Sequence, residues 1–275
     1  MHPDLFKIGP FALHSYGLMM ALAFGFGIWI AAKRAPGRGV PGQAIMDISV
    51  AALLFGLAGG RIAYVFTHWR EFEGHWIDTI SPIQSDGTIG IAGLVLLGGV
   101  VLGFGGAYWM ARRKGAQFLT VTDIMVPSLA LGIAFGRIGC FLNGCCFGNE
   151  CDLPWGVVFP ESSLAGSVYP HVHIHPTQLY ESIAMVMLFL FLLWRDRTPL
   201  GKGVLTGTFL ILYGIWRYYV EGLRWYEDGM IFGHIGDHRI TFSRIISAAM
   251  VVIGVYLISR KSEPDSPQPS EPDVY

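Results

Sequence analysis

The residues able to do chemistry are densest in Gly136-Arg137-Ile138-Gly139-Cys140-Phe141-Leu142-Asn143-Gly144-Cys145-Cys146-Phe147-Gly148. There an arginine, an asparagine, four glycines and three cysteines stand at the mouth of an apolar run. Glycine lets backbone approach backbone or a ligand closely. Arginine holds a phosphate through two parallel hydrogen bonds. Two further clusters carry polar groups into apolar surroundings. Tyr213, Arg217 and Glu221 stand at i, i+4 and i+8, one polar stripe on an otherwise apolar helix. In His175-Pro176-Thr177-Gln178-Leu179-Tyr180-Glu181 the proline favours a helix start, which puts the polar side chains in a first turn where an anion is stabilised. His14-Ser15-Tyr16-Gly17 is a smaller group at the start of another apolar run.

The setting is a membrane. Of the 275 residues, 52% are apolar and only 14% charged, against roughly 25% charged in a soluble domain. A net charge of -1 and the lack of any zinc-finger, homeodomain or RNA-binding signature set nucleic-acid partners aside. Met1 to Pro10 has no basic n-region followed by an apolar core, so the first apolar segment is expected to stay in the product. Seven apolar runs of spanning length are expected: 12–32, 44–66, 89–111, 122–141, 178–194, 203–221 and 240–259. The fold class is therefore all-α, a polytopic bundle of about seven transmembrane helices. Residues 1–261 form one domain, and 262–275, with four prolines and four acidic residues, form a disordered cytoplasmic tail.

Basic residues orient the bundle. Eleven lysines and arginines follow the odd-numbered segments, and four lie in the opposite loops. The N-terminus is thus expected outside and the C-terminus in the cytoplasm. The loops 67–88, 142–177 and 222–239 add mass to the outer face, and Trp69, Trp76, Trp155 and Trp225 fit an interfacial aromatic belt. In this topology Arg61, Arg137, Arg217, Glu181, Glu221 and Arg244, with Tyr16, reach one depth near the outer surface. Snorkelling or helix capping accounts for any one of these arginines. Four arginines against two carboxylates leave an excess of positive charge, and a buried excess asks for an anion, which a lipid phosphate supplies.

The cysteines leave alternatives open. Cys140, Cys145, Cys146 and Cys151 lie within twelve residues, but C-x4-C-C-x4-C matches no common zinc spacing, although His171, His173 and His175 stand nearby. A local disulfide and free thiols are both compatible with the spacing. No motif implies a metal or organic cofactor. A light-driven pump is disfavoured because Ile240 to Ser259 has no lysine for a Schiff base, and a channel because the polar groups gather at one depth.

Six ordered stretches resemble the bacterial prolipoprotein diacylglyceryl transferases, over nearly the whole chain from Ile8 to about Ile253: I-G-P-F-A-L-H-S-Y-G-L-M at 8–19, G-G-R-I-A-Y-V at 59–65, G-L-V-L-L-G-G at 93–99, G-R-I-G-C-F-L-N-G at 136–144, H-P-T-Q-L-Y-E at 175–181 and Y-G-I-W-R-Y-Y-V-E at 213–221. The resemblance implies a seven-helix enzyme of the bacterial cytoplasmic (inner) membrane. It would move a diacylglyceryl group from phosphatidylglycerol to the lipobox cysteine of a prolipoprotein and release glycerol phosphate. It puts Tyr16, Arg137, Asn143, Gly148, Tyr213, Arg217 and Glu221 on functional positions. Arg137 would bind the head group, Arg217 would stabilise the leaving phosphate and Glu221 would orient Arg217. The catalytic candidates are then Arg137, Arg217, Glu221, Tyr16 and His14. The substrate-binding candidates are Arg137, Asn143, Gly144, Gly148, Arg61, Tyr213, His175, Gln178, Glu181 and Arg244. Three positions depart from the family pattern. Leu97 stands where a histidine base is frequent, Cys140 where asparagine is usual, and Cys145 where an acidic residue is common. His14, His175 or Glu221 would then accept the thiol proton. The alternative is a phospholipid-binding paralogue with altered specificity or no turnover.

Overall fold

The computed structural model describes residues 4–8, 11–79, 81, 93–226, 231–235 and 238–260. Each of the seven apolar runs coincides with one long helix: α1 (Ser15–Arg34), α2 (Gly42–Thr67), α3 (Leu96–Arg113), α4 (Phe118–Asn143), α6 (Thr177–Arg195), α7 (Val204–Val220) and α8 (Phe242–Ser259), with the short α5 (Leu164–Val168) in the loop after α4. Five of these, α1, α2, α4, α6 and α8, are long and apolar enough to cross a membrane. The tail 262–275 and the first residues of the third run, 89–92, lie outside the described residues.

All-helical is not the whole description. Two antiparallel hairpins are present, β1 (Asp4–Ile8) with β2 (Phe11–His14), and β3 (Ile231–Ile235) with β4 (His238–Thr241). Their registers run Ile8↔Phe11 to Asp4↔His14 and Ile235↔His238 to Ile231↔Thr241. Each hairpin leads directly into a helix, α1 or α8, on the face that carries the larger loops.

Helix α4 is the hub, packing against α1, α6 and α7, while α2 with α3 and α7 with α8 form close antiparallel pairs. Between helices in lipid the attraction comes from close packing, which small residues permit. A Cβ added at Gly59 of α2 would lie 2.4 Å from the Gly98 carbonyl of α3, and one at Gly207 of α7 would lie 2.8 Å from the Gly254 carbonyl of α8. Large apolar side chains meanwhile face outward. Leu96, Phe66 and Val252 are 82%, 76% and 69% exposed, an arrangement suited to lipid and not to water.

The two ends of the bundle are held by different polar networks. At the end that carries the basic loops, the fully buried Asp123 of α4 accepts from the Gly203 and Thr206 backbone amides, both at 2.7 Å, and from the Thr206 hydroxyl at 2.6 Å. A carboxylate placed there caps the start of α7 and answers its positive dipole end. Arg38 lies 3.6 Å from Asp123 and also pairs with Asp196, which Arg34 joins from the end of α1. Burial would raise the Asp196 carboxyl, but the Arg34 and Arg38 guanidiniums outweigh it and hold it below the usual carboxylate range. Sequence pattern marked none of these residues, because an aspartate near a helix start reads equally well as solvated.

Asp123→Ala strips three buried donors of their acceptor and leaves Arg38 short of a partner. The expected loss is about 3–5 kcal/mol, read as a lowered midpoint of thermal unfolding in detergent. An unchanged midpoint would show that α7 does not depend on this carboxylate.

Candidate active site

At the opposite end, three helices bring their polar residues to one carboxylate. Glu181, in the second turn of α6, is 1% exposed. Its Oε2 lies 2.9 Å from Arg137 Nε of α4 and 3.4 Å from Arg217 Nη1 of α7, and its Oε1 accepts from the Tyr213 hydroxyl at 3.2 Å. Arg217 continues the chain, with Nη2 2.9 Å from Oε2 of Glu221, whose Oε1 accepts from the Thr241 hydroxyl at 2.7 Å. Tyr213, Arg217 and Glu221 therefore do form one face, although α7 has ended by Glu221, which opens a 3₁₀ turn. Glu181 corrects one expectation. It stands one turn deeper than a first-turn residue and faces α4 and α7, because α6 begins at Thr177 with Pro176 as its N-cap.

The glycine-rich mouth is a helix ending. Gly144 takes φ +70, the left-handed conformation that stops α4, and a Cβ there would stand 2.6 Å from that of Ser163. The following loop is stitched to α6 through its carbonyls. Gln178 Nε2 donates to the Cys145 carbonyl at 2.7 Å, and the Thr177 hydroxyl donates to that of Cys146 at 3.0 Å. The Gly148 amide donates to the His175 carbonyl at 3.1 Å, and a Cβ at Gly148 would lie 2.6 Å from that of His175. Asn149 and Trp225 tie the same loop to the segment after α7, through Leu223 and Phe147. Trp225 stacks on Phe147 with ring centres 5.3 Å apart, inside a small core with Phe159, Ala165 and Ile174. It packs against that core.

Most of the residues singled out by type and spacing meet here. Tyr16 packs over the mouth, its Cδ2 3.0 Å from where a Cβ at Gly139 would be, and it remains 43% exposed. Asn143 ends α4, and the Cys145 thiol that follows donates to the Cys140 carbonyl at 3.7 Å. His175 faces the Tyr180 hydroxyl at 3.4 Å, and burial pushes its imidazole below the ordinary histidine value, toward the neutral form that can accept a proton. The Arg244 backbone amide donates to the Thr241 hydroxyl that caps α8, while its guanidinium lies beside Gly222 and donates to the Arg239 carbonyl. His14 is exposed at the start of α1.

Arg61 is placed elsewhere. It donates from Nε to the Thr79 carbonyl at 2.9 Å and from Nη1 to the Gly93 carbonyl at 3.4 Å, under the rings of Tyr64 and Phe72. These contacts belong to the α2–α3 pair and its connecting loop. The residue that sequence reasoning missed is Arg224, which lies over the Tyr226 ring and whose charge reaches Cys146. It stands three residues beyond the last matched motif, and only its closeness to Glu221 in sequence could have pointed to it. Among the described residues, the buried Nε atoms of Arg224 and Arg244 and Oε1 of Gln178 have no hydrogen-bond partner. The two guanidinium N–H groups are donors and the amide oxygen an acceptor, and buried polar groups in that state invite a partner.

The sequence match decides the family. A model of the prolipoprotein diacylglyceryl transferases matches residues 3–260. The chain belongs to that family. It is 32% identical to the phosphatidylglycerol–prolipoprotein diacylglyceryl transferase of Clostridium tetani over 94% of this chain and 97% of the relative. The enzyme of the same name from Aliivibrio salmonicida is 35% identical over 93% and 86%, and that from Synechococcus elongatus 32% identical over 98% and 92%. Family membership and several apolar helices together make this a transferase-family protein of a multi-pass membrane type.

Glu181→Ala leaves two buried guanidiniums short of their shared acceptor. About 3–5 kcal/mol of stability should be lost, with Glu181→Gln costing less because it keeps one acceptor oxygen. Thermal unfolding of the purified variants measures both, and two wild-type melting curves would refute the shared-carboxylate account.

Proposed function

We propose that this protein transfers the sn-1,2-diacylglyceryl group of phosphatidylglycerol to the lipobox cysteine thiol of prolipoproteins in the bacterial cytoplasmic membrane. The observation that carries this reading is the pairing of Arg137 and Arg217 through one buried carboxylate, with the Arg224 charge and the Arg244 guanidinium, beside Gly222, close by. Four guanidiniums against Glu181 and Glu221 leave net positive charge at one depth of an apolar bundle, where an uncompensated cation is costly and a lipid phosphate compensates it.

In the reaction the acceptor sulfur attacks the glyceryl carbon that bears the phosphate. A C–S bond forms, the C–O bond breaks, and the oxygen keeps the bonding pair as glycerol phosphate leaves. The thiol proton goes to solvent or to the departing phosphate. Arg137 Nε and Arg217 Nη1 are already oriented by Glu181, and Arg217 Nη2 by Glu221. Arg137 binds the head group, while Arg217 meets the negative charge that grows on the phosphate. A charge-stabilising donor fixed in advance contributes more to such a step than one that must reorganise. Tyr16, Asn143, Gly144 and Gly148 shape the entry through which the head group reaches the arginines, and Tyr213, Gln178 and His175 line its walls.

In this reading all seven long helices span the membrane as one unit over residues 1–261, with the N-terminus and the arginine-rich site on the outer side. The shorter α3 and α7 cross as partners of α2 and α8. The acceptor, a signal peptide with its own apolar helix, then reaches the site sideways from the bilayer.

Transfer of labelled diacylglyceryl from phosphatidylglycerol to a lipobox peptide should fall about 10²–10³-fold in kcat for Arg137→Ala and Arg217→Ala. Arg217→Lys should also lose activity, because an ammonium lacks the fork. Wild-type protein that binds phosphatidylglycerol in an Arg137-dependent way without transferring it would instead identify a lipid-binding paralogue.

A further inference from the structure

Three of the four cysteines converge in space. The sulfur atoms of Cys140, Cys145 and Cys146 all lie within 4.8 Å of one another, each on a half-buried residue and each a free thiol. Zinc–sulfur bonds of about 2.3 Å at tetrahedral angles set thiolates roughly 3.8 Å apart, a spacing these side chains meet by small rotations. The cluster is built and not incidental. Cys140 occupies the last turn of α4, and Gly144 turns the chain so that Cys145 and Cys146 fold back over it. Cys146 itself holds φ +60, a left-handed backbone that a residue with a Cβ adopts at some cost, and one of two such non-glycine positions among the described residues. Gln178 and Thr177 pin the carbonyls of Cys145 and Cys146, supplying the outer support that a metal site needs.

We propose that Cys140, Cys145 and Cys146 bind a zinc ion as a three-thiolate centre whose fourth position takes the acceptor's cysteine as its thiolate. The proposal rests on the transferase reading for the identity of that acceptor, and the metal site itself does not. Three protein ligands with one open position are the pattern of a catalytic zinc, whereas structural zinc is closed by a fourth. Cys151 does not close it, for its sulfur lies beside Gly156 and His173 at the far side of the loop.

The charges fit. Three thiolates and Zn²⁺ sum to one negative charge, beside Arg137 and Arg224, whose charges reach Cys146. When the acceptor thiol coordinates, its proton passes to water. The bound sulfur then attacks the glyceryl carbon, the C–S bond forms and the C–O bond to phosphate breaks with its electron pair on oxygen. Zinc keeps its charge throughout. The thioether product is neutral and a weaker ligand, so it leaves.

The test uses the full-length protein, purified in detergent under reducing conditions, stripped of metal and titrated with Co²⁺ as a visible stand-in for zinc. The expected result is one equivalent bound with thiolate-to-cobalt charge-transfer absorption. That absorption should intensify on adding a lipobox peptide and stay unchanged with the same peptide carrying serine for cysteine. Cys140→Ser, Cys145→Ser and Cys146→Ser should each weaken cobalt binding at least about 10²-fold, while Cys151→Ser leaves it as it was. The wild-type peptide titration stands even if a variant misfolds. Absence of the thiolate band, a disulfide between any two of the three cysteines found by mass spectrometry, or a band indifferent to the peptide thiol would each overturn the proposal. Protein that ligates the peptide thiol yet transfers no lipid, with zinc restored, would support the metal site and sink the transferase reading.

Discussion

A single buried carboxylate organises the end of this bundle opposite the basic loops. Glu181 accepts from Arg137 on one helix and from Arg217 and Tyr213 on another, and it is almost wholly removed from solvent. In a low-dielectric interior neither guanidinium could stand alone, and the carboxylate could not stand without them. The consequence is geometric as well as energetic. The rotation of α4, α6 and α7 about their own axes is fixed relative to one another, because a turn of one residue on any of them would carry its polar group out of reach. Arg224 and Arg244 add positive charge beside this network.

The network near the basic loops makes that convergence possible. Asp123 binds the first amides of α7, and Arg38 and Arg34 tie Asp196 to the end of α1. One end of the helices is anchored this way, and α2–α3 and α7–α8 are drawn together along glycine-lined faces. At the other end the loops are held by backbone hydrogen bonds through Gly148, Asn149 and His175. The polar work is thus divided: one set of ion pairs ties the ends of helices and their short loops, and another joins α4, α6 and α7 deep between them.

The loop after α4 carries a different kind of constraint. A left-handed glycine ends the helix, and a left-handed cysteine follows two residues later. Strain of that kind persists where surrounding contacts hold it, here the side chains of Gln178 and Thr177 and the stack of Phe147 on Trp225. Packing that orders this loop therefore also orders the thiols. That is why a small aromatic core in this loop matters to the residues beside it.

Hydropathy and motif spacing in the sequence were enough to determine the seven long helices, the bias of basic residues toward one end, the family, and the residue types of the site, because each of these is local in the chain. An apolar run must become a helix in lipid to satisfy its own amides, whatever lies beside it. The sequence could not determine which polar groups meet. Arg61 and Arg137 look alike as arginines near the ends of apolar helices, yet one is spent on carbonyls near its own hairpin and the other on Glu181. Arg224 gave no periodic signal, and C-x4-C-C-x4-C matched no metal spacing although three of its thiols converge. Only the tertiary structure decided these points. Convergence depends on how far each helix is rotated, about 100° per residue, and on where a left-handed turn sends the chain next.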